Sequence, residues 1–244
     1  MKKPIIKGTT NRTYLNWLTR MAKREADSLV FRCLASWALT EGKKRILTLP
    51  GAEWLWEREF LQYYPDYPIE FLGLESNSRI AKRMRDAVAF SPAPRPHKFN
   101  PHPQNLSFED YAESFKPKDG AFDMIYLDWR GAWGEDKLNQ LRLLFLRGML
   151  KAGGYFRFTV CLTPGKLSRA EHFDDEQQSF HFGDILGGGD RNSKWQAHGV
   201  PAIAIAVARK EGYHMEPVAM QYYQSYPDVD DTLSQTSFLF RLKS

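Results

Sequence analysis

The sequence holds little that would staple a fold or anchor it in a membrane. Two cysteines, Cys33 and Cys161, stand far apart among 244 residues and form no metal-spaced pair, which excludes a disulfide scaffold and points to no metal site. No apolar run approaches the roughly 20 residues that span a bilayer. The start, Met1-Lys2-Lys3-Pro4-Ile5-Ile6-Lys7, is basic without the apolar stretch of a secretory signal. A soluble, cytoplasmic protein with no membrane partner is expected. Charge of one sign is also scarce: 34 Lys and Arg against 29 Asp and Glu leave +5, which permits a polyanionic partner without demanding one. Repeats and low-complexity tracts are absent. What is present is core material, 43% hydrophobic and 14% aromatic residues. A chain of this length buries roughly 70–75% of the surface its unfolded form exposes, so 1–244 reads as a single domain.

Helical spacing of Leu15, Leu18, Ala22 and Leu29, continued by Leu34, Trp37 and Ala38, predicts an N-terminal helical segment over 9–40, long enough to carry a kink. Strands then alternate with helices. Arg45 to Leu49 is a short strand stopped by Pro50-Gly51, and Glu53 to Tyr64 a helix stopped by Pro65. Ile69 to Leu74 is a second strand, followed by a helix bearing Ile80, Met84 and Val88, which Ser76 or Asn77 can cap. Ser91 to Pro103 holds five prolines and reads as extended, with a short strand near His97-Lys98-Phe99. Phe108 to Phe115 is a short helix and Phe122 to Leu127 the clearest strand. The helix carrying Leu138, Leu141, Phe145 and Met149 is expected to break at Gly153-Gly154, before a strand over Tyr155 to Val160. A helix over Pro201 to Glu211 and strands near Met215–Tyr223 and Ser237–Leu242 complete the chain. This alternation predicts an α/β fold, a mainly parallel sheet with helices on both faces and an antiparallel C-terminal strand pair.

Ligands of open α/β sheets bind beyond the carboxyl ends of the strands. Three such ends carry suitable chemistry: Pro50-Gly51, Glu75 and Asp128-Trp129. An acid after the second strand can accept two hydrogen bonds from a ribose diol, and a small residue after the first lets backbone N–H groups approach an anion. On Leu72-Gly73-Leu74-Glu75, Phe122-Asp123-Met124-Ile125-Tyr126-Leu127-Asp128 and Leu150-Lys151-Ala152-Gly153-Gly154-Tyr155, the chain resembles the class I S-adenosylmethionine-dependent methyltransferases. The resemblance covers 43–163 and 200–244 and implies a Rossmann-like sheet with S-adenosylmethionine as cofactor. It implies that Pro50, Gly51 and Ala52 lie under the methionine part, that Glu75 meets the ribose, and that Ser76 also binds the cofactor. Asn105 and Ser107 would lie near the adenine, and Asp128, Trp129 and Arg130 would face the methyl and its acceptor.

Two segments depart from the family pattern. The first loop, Thr48-Leu49-Pro50-Gly51-Ala52-Glu53-Trp54, has a single glycine where the family usually has an acidic residue followed by two or three alternating glycines. The fourth, Asp128-Trp129-Arg130-Gly131, keeps an acid and an aromatic without the prolines of amino-methylating DNA enzymes. Two functions are therefore in view: a methyltransferase acting on nucleic acid, and an inactive methyltransferase-like module that docks a protein or nucleic acid. A nucleotide-dependent oxidoreductase is disfavoured because no Gly-x-Gly-x-x-Gly turn is present. Trp129 and Trp133 read equally as packing or as a stacking platform for a base. Arg79, Lys82, Arg83 and Arg85 form a basic run on one predicted helix, a solvated face or a nucleic-acid patch. Trp54 and Trp56 are expected in the core. The polar stretch 164–199, with His172, Asp174, His181 and Gly187-Gly188-Gly189, reads as a substrate-side insertion or lid.

Overall fold

The computed structural model describes residues 23–24, 27–38, 40, 42–52, 54–65, 68–89, 99–116, 120–129, 133–162, 199–224 and 234–243. Most of the expected insertion, the first part of the N-terminal segment and Arg130 lie outside the described residues.

Residues 27–33 are helical, a turn follows at Leu34, and α1 (Ala35–Ala38) continues the segment. The expected kink is thus a turn at Leu34, whose N–H meets both the Val30 and Phe31 carbonyls, at 3.0 and 3.1 Å. Then come β1 (Lys44–Thr48), α2 (Leu55–Tyr63), β2 (Ile69–Leu74), α3 (Ser78–Ala89), β3 (Phe99–Gln104), α4 (Phe108–Ser114), β4 (Phe122–Asp128), α5 (Glu135–Leu146), β5 (Leu150–Leu162), α6 (Val200–Lys210), β6 (Met215–Gln224) and β7 (Ser234–Leu242).

The seven strands form one sheet in the order β3-β2-β1-β4-β5-β7-β6. The first five are parallel, and β7 runs antiparallel between β5 and β6. From β1 the chain builds outward through β2 and β3, then returns to place β4 and β5 on the other side of β1. That reversal opens a crevice at the carboxyl ends of β1 and β4.

Alternation along the strands feeds two cores. Leu47, Ile125, Leu127, Phe156, Phe158, Phe238 and Phe240 pack on one face with Leu138, Leu141 and Phe145 of α5 and Ile203 and Ala204 of α6. Ile46, Phe71, Met124, Tyr126 and Leu239 pack on the other with Val30, Phe31, Trp56, Phe60 and Met84. The period-2 pattern of strands and the 3.6-residue pattern of helices account for this division.

Two boundaries differ from expectation. Helix α5 ends at Leu146 rather than at the Gly153-Gly154 pair, and β5 begins at Leu150 and runs through those glycines. Its register with β4 shifts between Phe122 and Met124, and Gly153 takes φ 74° there, a conformation that glycine adopts without steric cost. The strand expected at 97–99 instead occupies Phe99–Gln104, with Pro101 and Pro103 inside it. That position is the sheet edge, where missing proline N–H donors are tolerated. Among the described residues, no helix is long and apolar enough to cross a membrane.

Candidate active site at the carboxyl edge of the sheet

A cavity of about 550 Å³ opens at the carboxyl ends of β1, β2 and β4. Its wall includes Pro50, Gly51 and Ala52 after β1, Glu75 and Ser76 after β2, Ser107 before α4, and Asp128 and Trp129 at the end of β4. Eight of the expected site residues therefore meet in one place.

The turn after β1 is built without the glycines that the family pattern places there. Trp54 takes the left-handed conformation, φ 55° and ψ 44°, at a cost of about 1–3 kcal/mol for a non-glycine residue. Burial offsets this: the indole is fully enclosed, and its Nε1–H donates to the Met84 carbonyl at 3.2 Å. The same ring dictates a glycine in β2. A Cβ on Gly73 would lie 2.4 Å from Trp54 Cη2 and 2.7 Å from Pro50 Cγ. At Gly51, by contrast, a Cβ would meet nothing within 4 Å. Gly51 thus leaves open space in the cavity wall.

On the β2 side, Glu75 Oε1 accepts the Asn77 N–H at 2.8 Å, and Asn77 Oδ1 accepts the Arg79 and Ile80 N–H groups at 3.0 and 3.3 Å. Asn77, not Ser76, is therefore the cap of α3. Asn105 does not line the cavity. Its Nδ2 donates to the Glu75 and Ser76 carbonyls at 2.9 and 3.1 Å, tying the loop after β3 to the loop after β2. Ser107 Oγ caps α4 by accepting the Asp110 N–H at 3.0 Å and donates to the Asp110 carboxylate at 2.7 Å.

The β4 side carries a charge cluster that sequence reasoning missed, buried at Asp27, Glu57 and Arg157 and partly exposed at Lys23 and Asp128. Lys23, from the N-terminal segment, donates to the Asp128 carboxylate. Asp27, four residues on in sequence, accepts from Arg157 Nη2, and both side chains are enclosed. Arg157 Nε donates to Ser237 Oγ at 2.9 Å, and the guanidinium lies 4.3 Å from the Tyr126 ring centroid. Glu57, on the first turn of α2, is 1% exposed, and burial pushes its carboxyl up to about 7. Burial also raises the Tyr126 hydroxyl well above its ordinary value. The one available signal was the charged residues themselves, Asp27, Glu57 and Arg157, at apolar-face positions of otherwise amphipathic elements.

Trp129 and Trp133 are packing residues, not a surface platform. They are 5% and 3% exposed, their rings meet at 5.8 Å, and both lie against Phe158. Trp129 borders the cavity with its Nε1–H held by Gln140, whose own amide reaches Glu109 at 2.6 Å. Trp54 and Trp56 are in the core as expected.

No family model matches the sequence, and no curated protein matches it either. Solved structures do match in fold. A candidate sarcosine dimethylglycine methyltransferase from Galdieria sulphuraria superposes with a TM-score of 0.54 at 13% identity, over 91% of this chain and 87% of that one. Trm5b from Pyrococcus abyssi gives 0.52 at 9% identity, over 91% of this chain and 49% of that one. TYW2 from P. horikoshii, in complex with MeSAdo, gives 0.50 at 6% identity, over 86% and 61%. This chain thus spans about half of Trm5b and three fifths of TYW2. The fold is that of a class I methyltransferase, Rossmann-like, with a mainly parallel sheet closed by an antiparallel pair.

Proposed function

We propose that this chain is an S-adenosylmethionine-dependent methyltransferase. The observation that carries the reading is the convergence of Gly51, Glu75, Ser76, Ser107 and Asp128 on one cavity of about 550 Å³ at the sheet's switch point. That volume is ample for a nucleoside-sized ligand, since small-molecule sites run about 300–1,000 Å³. The residues fit the cofactor: Gly51 leaves space against the turn, and Glu75 offers a carboxylate at the rim.

When bound, S-adenosylmethionine supplies an electrophilic sulfonium methyl. The chain's own residues then act by binding and positioning. Glu75 accepts hydrogen bonds from the ribose hydroxyls, while its bond to Asn77 fixes the carboxylate's direction. Pro50, Gly51 and Ala52 form the floor under the methionine part. Asp128 accepts a hydrogen bond or proton from the acceptor group, with Lys23 holding it in place. Asn105 acts indirectly, as the tie between two loops of the rim.

Nucleic acid is the acceptor we favour, on Arg79, Lys82, Arg83 and Arg85, all exposed on α3, the helix that starts beside Glu75. Cationic side chains there suit phosphate contacts, which position a polynucleotide without reading its sequence. Trp129 and Trp133 contribute nothing to this surface.

Calorimetric titration of S-adenosylmethionine and S-adenosylhomocysteine tests the cofactor reading. Micromolar binding, weakened at least tenfold by Glu75→Ala, is expected, and no binding to the unaltered protein would overturn it. Asp128→Ala should abolish turnover while sparing most cofactor binding. Substituting Arg79, Lys82 and Arg85 together by Ala should weaken RNA or DNA binding and flatten its salt dependence.

A second reading, binding without methylation, is favoured by the Lys23 ion pair, which occupies the Asp128 carboxylate. Cofactor binding without turnover on any nucleic acid, in protein that still binds nucleic acid, would favour it.

A further inference from the structure

Of the cavity's charged residues, Lys23, Arg24, Asp27, Glu59 and Asp128 form ion pairs, while Glu75 and Glu109 accept hydrogen bonds from Asn77 and Gln140. Lys23 meets Asp128, Arg157 meets Asp27, and Arg24 lies 3.6 Å from Glu59. Glu57 also lines the cavity but forms no ion pair among the described residues. Its Oε2 is buried without a hydrogen-bonding partner among them. A carboxylate in this position is costly to ionise unless a cation or donor arrives. The cost is not structural necessity, because neighbouring positions of α2 are filled by Trp56, Phe60 and Leu61, and an apolar residue would pack there without it.

We infer that Glu57 receives the α-ammonium group of the cofactor's methionyl part, as the cation-binding residue of this cavity. The inference rests on the proposed cofactor reading and adds the residue that carries its charge recognition. The acid comes from the helix after the first turn. The strand before that turn ends at Thr48, whose neutral side chain is fully buried.

The groups acting on Glu57 come from each element around it. Burial dominates and raises its pKa to about 7; its own backbone N–H, the Thr48 hydroxyl of β1 and the Lys23 ammonium pull it down, and Asp128 of β4 pushes it up. Asp27, Glu59 and Tyr126 border the same cavity. Receiving an ammonium requires the ionised carboxylate, so affinity for an ammonium-bearing ligand should rise with pH up to about 7 and level off above.

The test compares two ligands that share the adenosine part. S-adenosylhomocysteine carries the ammonium, and 5′-methylthioadenosine lacks it. Each is titrated calorimetrically into the unaltered protein and into Glu57→Gln, between pH 5.5 and 8. The expected result is a 10- to 100-fold loss of S-adenosylhomocysteine affinity in the variant, with methylthioadenosine binding unchanged within about twofold. The unaltered protein should also lose S-adenosylhomocysteine affinity on acidification below pH 7, by up to tenfold per unit, and the variant should not. Unchanged S-adenosylhomocysteine binding in Glu57→Gln would overturn the inference and leave the cofactor reading standing. So would an equal loss for both ligands. Binding of neither ligand by the unaltered protein would overturn both.

Discussion

At the ends of β1 and β2 the cavity wall is capped by contacts between near neighbours, with longer ties of 30 residues from Asn105 to Glu75 and from Trp54 to Met84. Glu75 bonds Asn77, Asn77 bonds Arg79 and Ile80, and Ser107 bonds Asp110, each within three residues. On the β4 side the contacts span roughly half of the chain. Lys23 reaches Asp128 over 105 residues, and Asp27 reaches Arg157 over 130. The first half uses helix caps; the second uses ion pairs, of which Asp27–Arg157 is enclosed and Lys23–Asp128 partly exposed. Local chemistry therefore sets the shape of one half, and global assembly sets the charge of the other.

The contrast can be broken most forcefully at Arg157. Arg157→Ala leaves Asp27 buried without its partner, and removing one member of such a pair costs about 3–5 kcal/mol. Urea unfolding should show that loss, and a change under 1 kcal/mol would mean the pair is not enclosed in solution.

Glu57 should show the opposite sign. Its folded-state pKa of about 7 lies above the ordinary 4.5, so the folded protein holds a proton that the unfolded chain has released. The stability of the free protein should fall as pH rises from about 4.5 to 7, by up to about 3 kcal/mol. Glu57→Gln should remove that slope and raise Tm at pH 8, with the thermal midpoint followed against pH as the check.

On the local side, Gly73→Ala forces a methyl against Trp54 and Pro50. Overpacking of this kind costs about 1–3 kcal/mol, readable as a shift in the denaturation midpoint. The smallest effect should come from Ser107→Ala, which removes the cap of α4 and costs about 1 kcal/mol. Hydrogen exchange at the Asp110 amide would rise with it.

The same division explains what was legible in the sequence. Strand–helix alternation and the terminal antiparallel pair could be read because their signals are periodic and short-range. Pro50-Gly51, Glu75 and Asp128 could be placed because each lies at or just past the end of a strand. Pro101 and Pro103 obscured β3, since proline argues against a strand unless the strand is known to be an edge. The glycine pair misled about α5, because Gly153 serves a bulge inside β5 and not a helix end. The first loop's glycine deficit was a poor guide to its turn, since burial of the Trp54 indole sustains the left-handed residue. Lys23, Asp27 and Arg157 could not be joined by spacing, because no local pattern records a contact spanning half the chain. Trp129 and Trp133 looked alike as packing or platform until Phe158 was found against both.

The Asp27–Arg157 pair also bears on how the chain is made. Ribosomes deliver about 5–20 residues each second, so Asp27 emerges roughly 6–26 s before the arginine 130 positions later. Through that interval the N-terminal segment has its acid but not the base that will enclose it. The ion pair that encloses Asp27 forms only after β5 has been synthesised, whereas Val30 and Phe31 beside it have Trp56 and Phe60 to pack against much earlier.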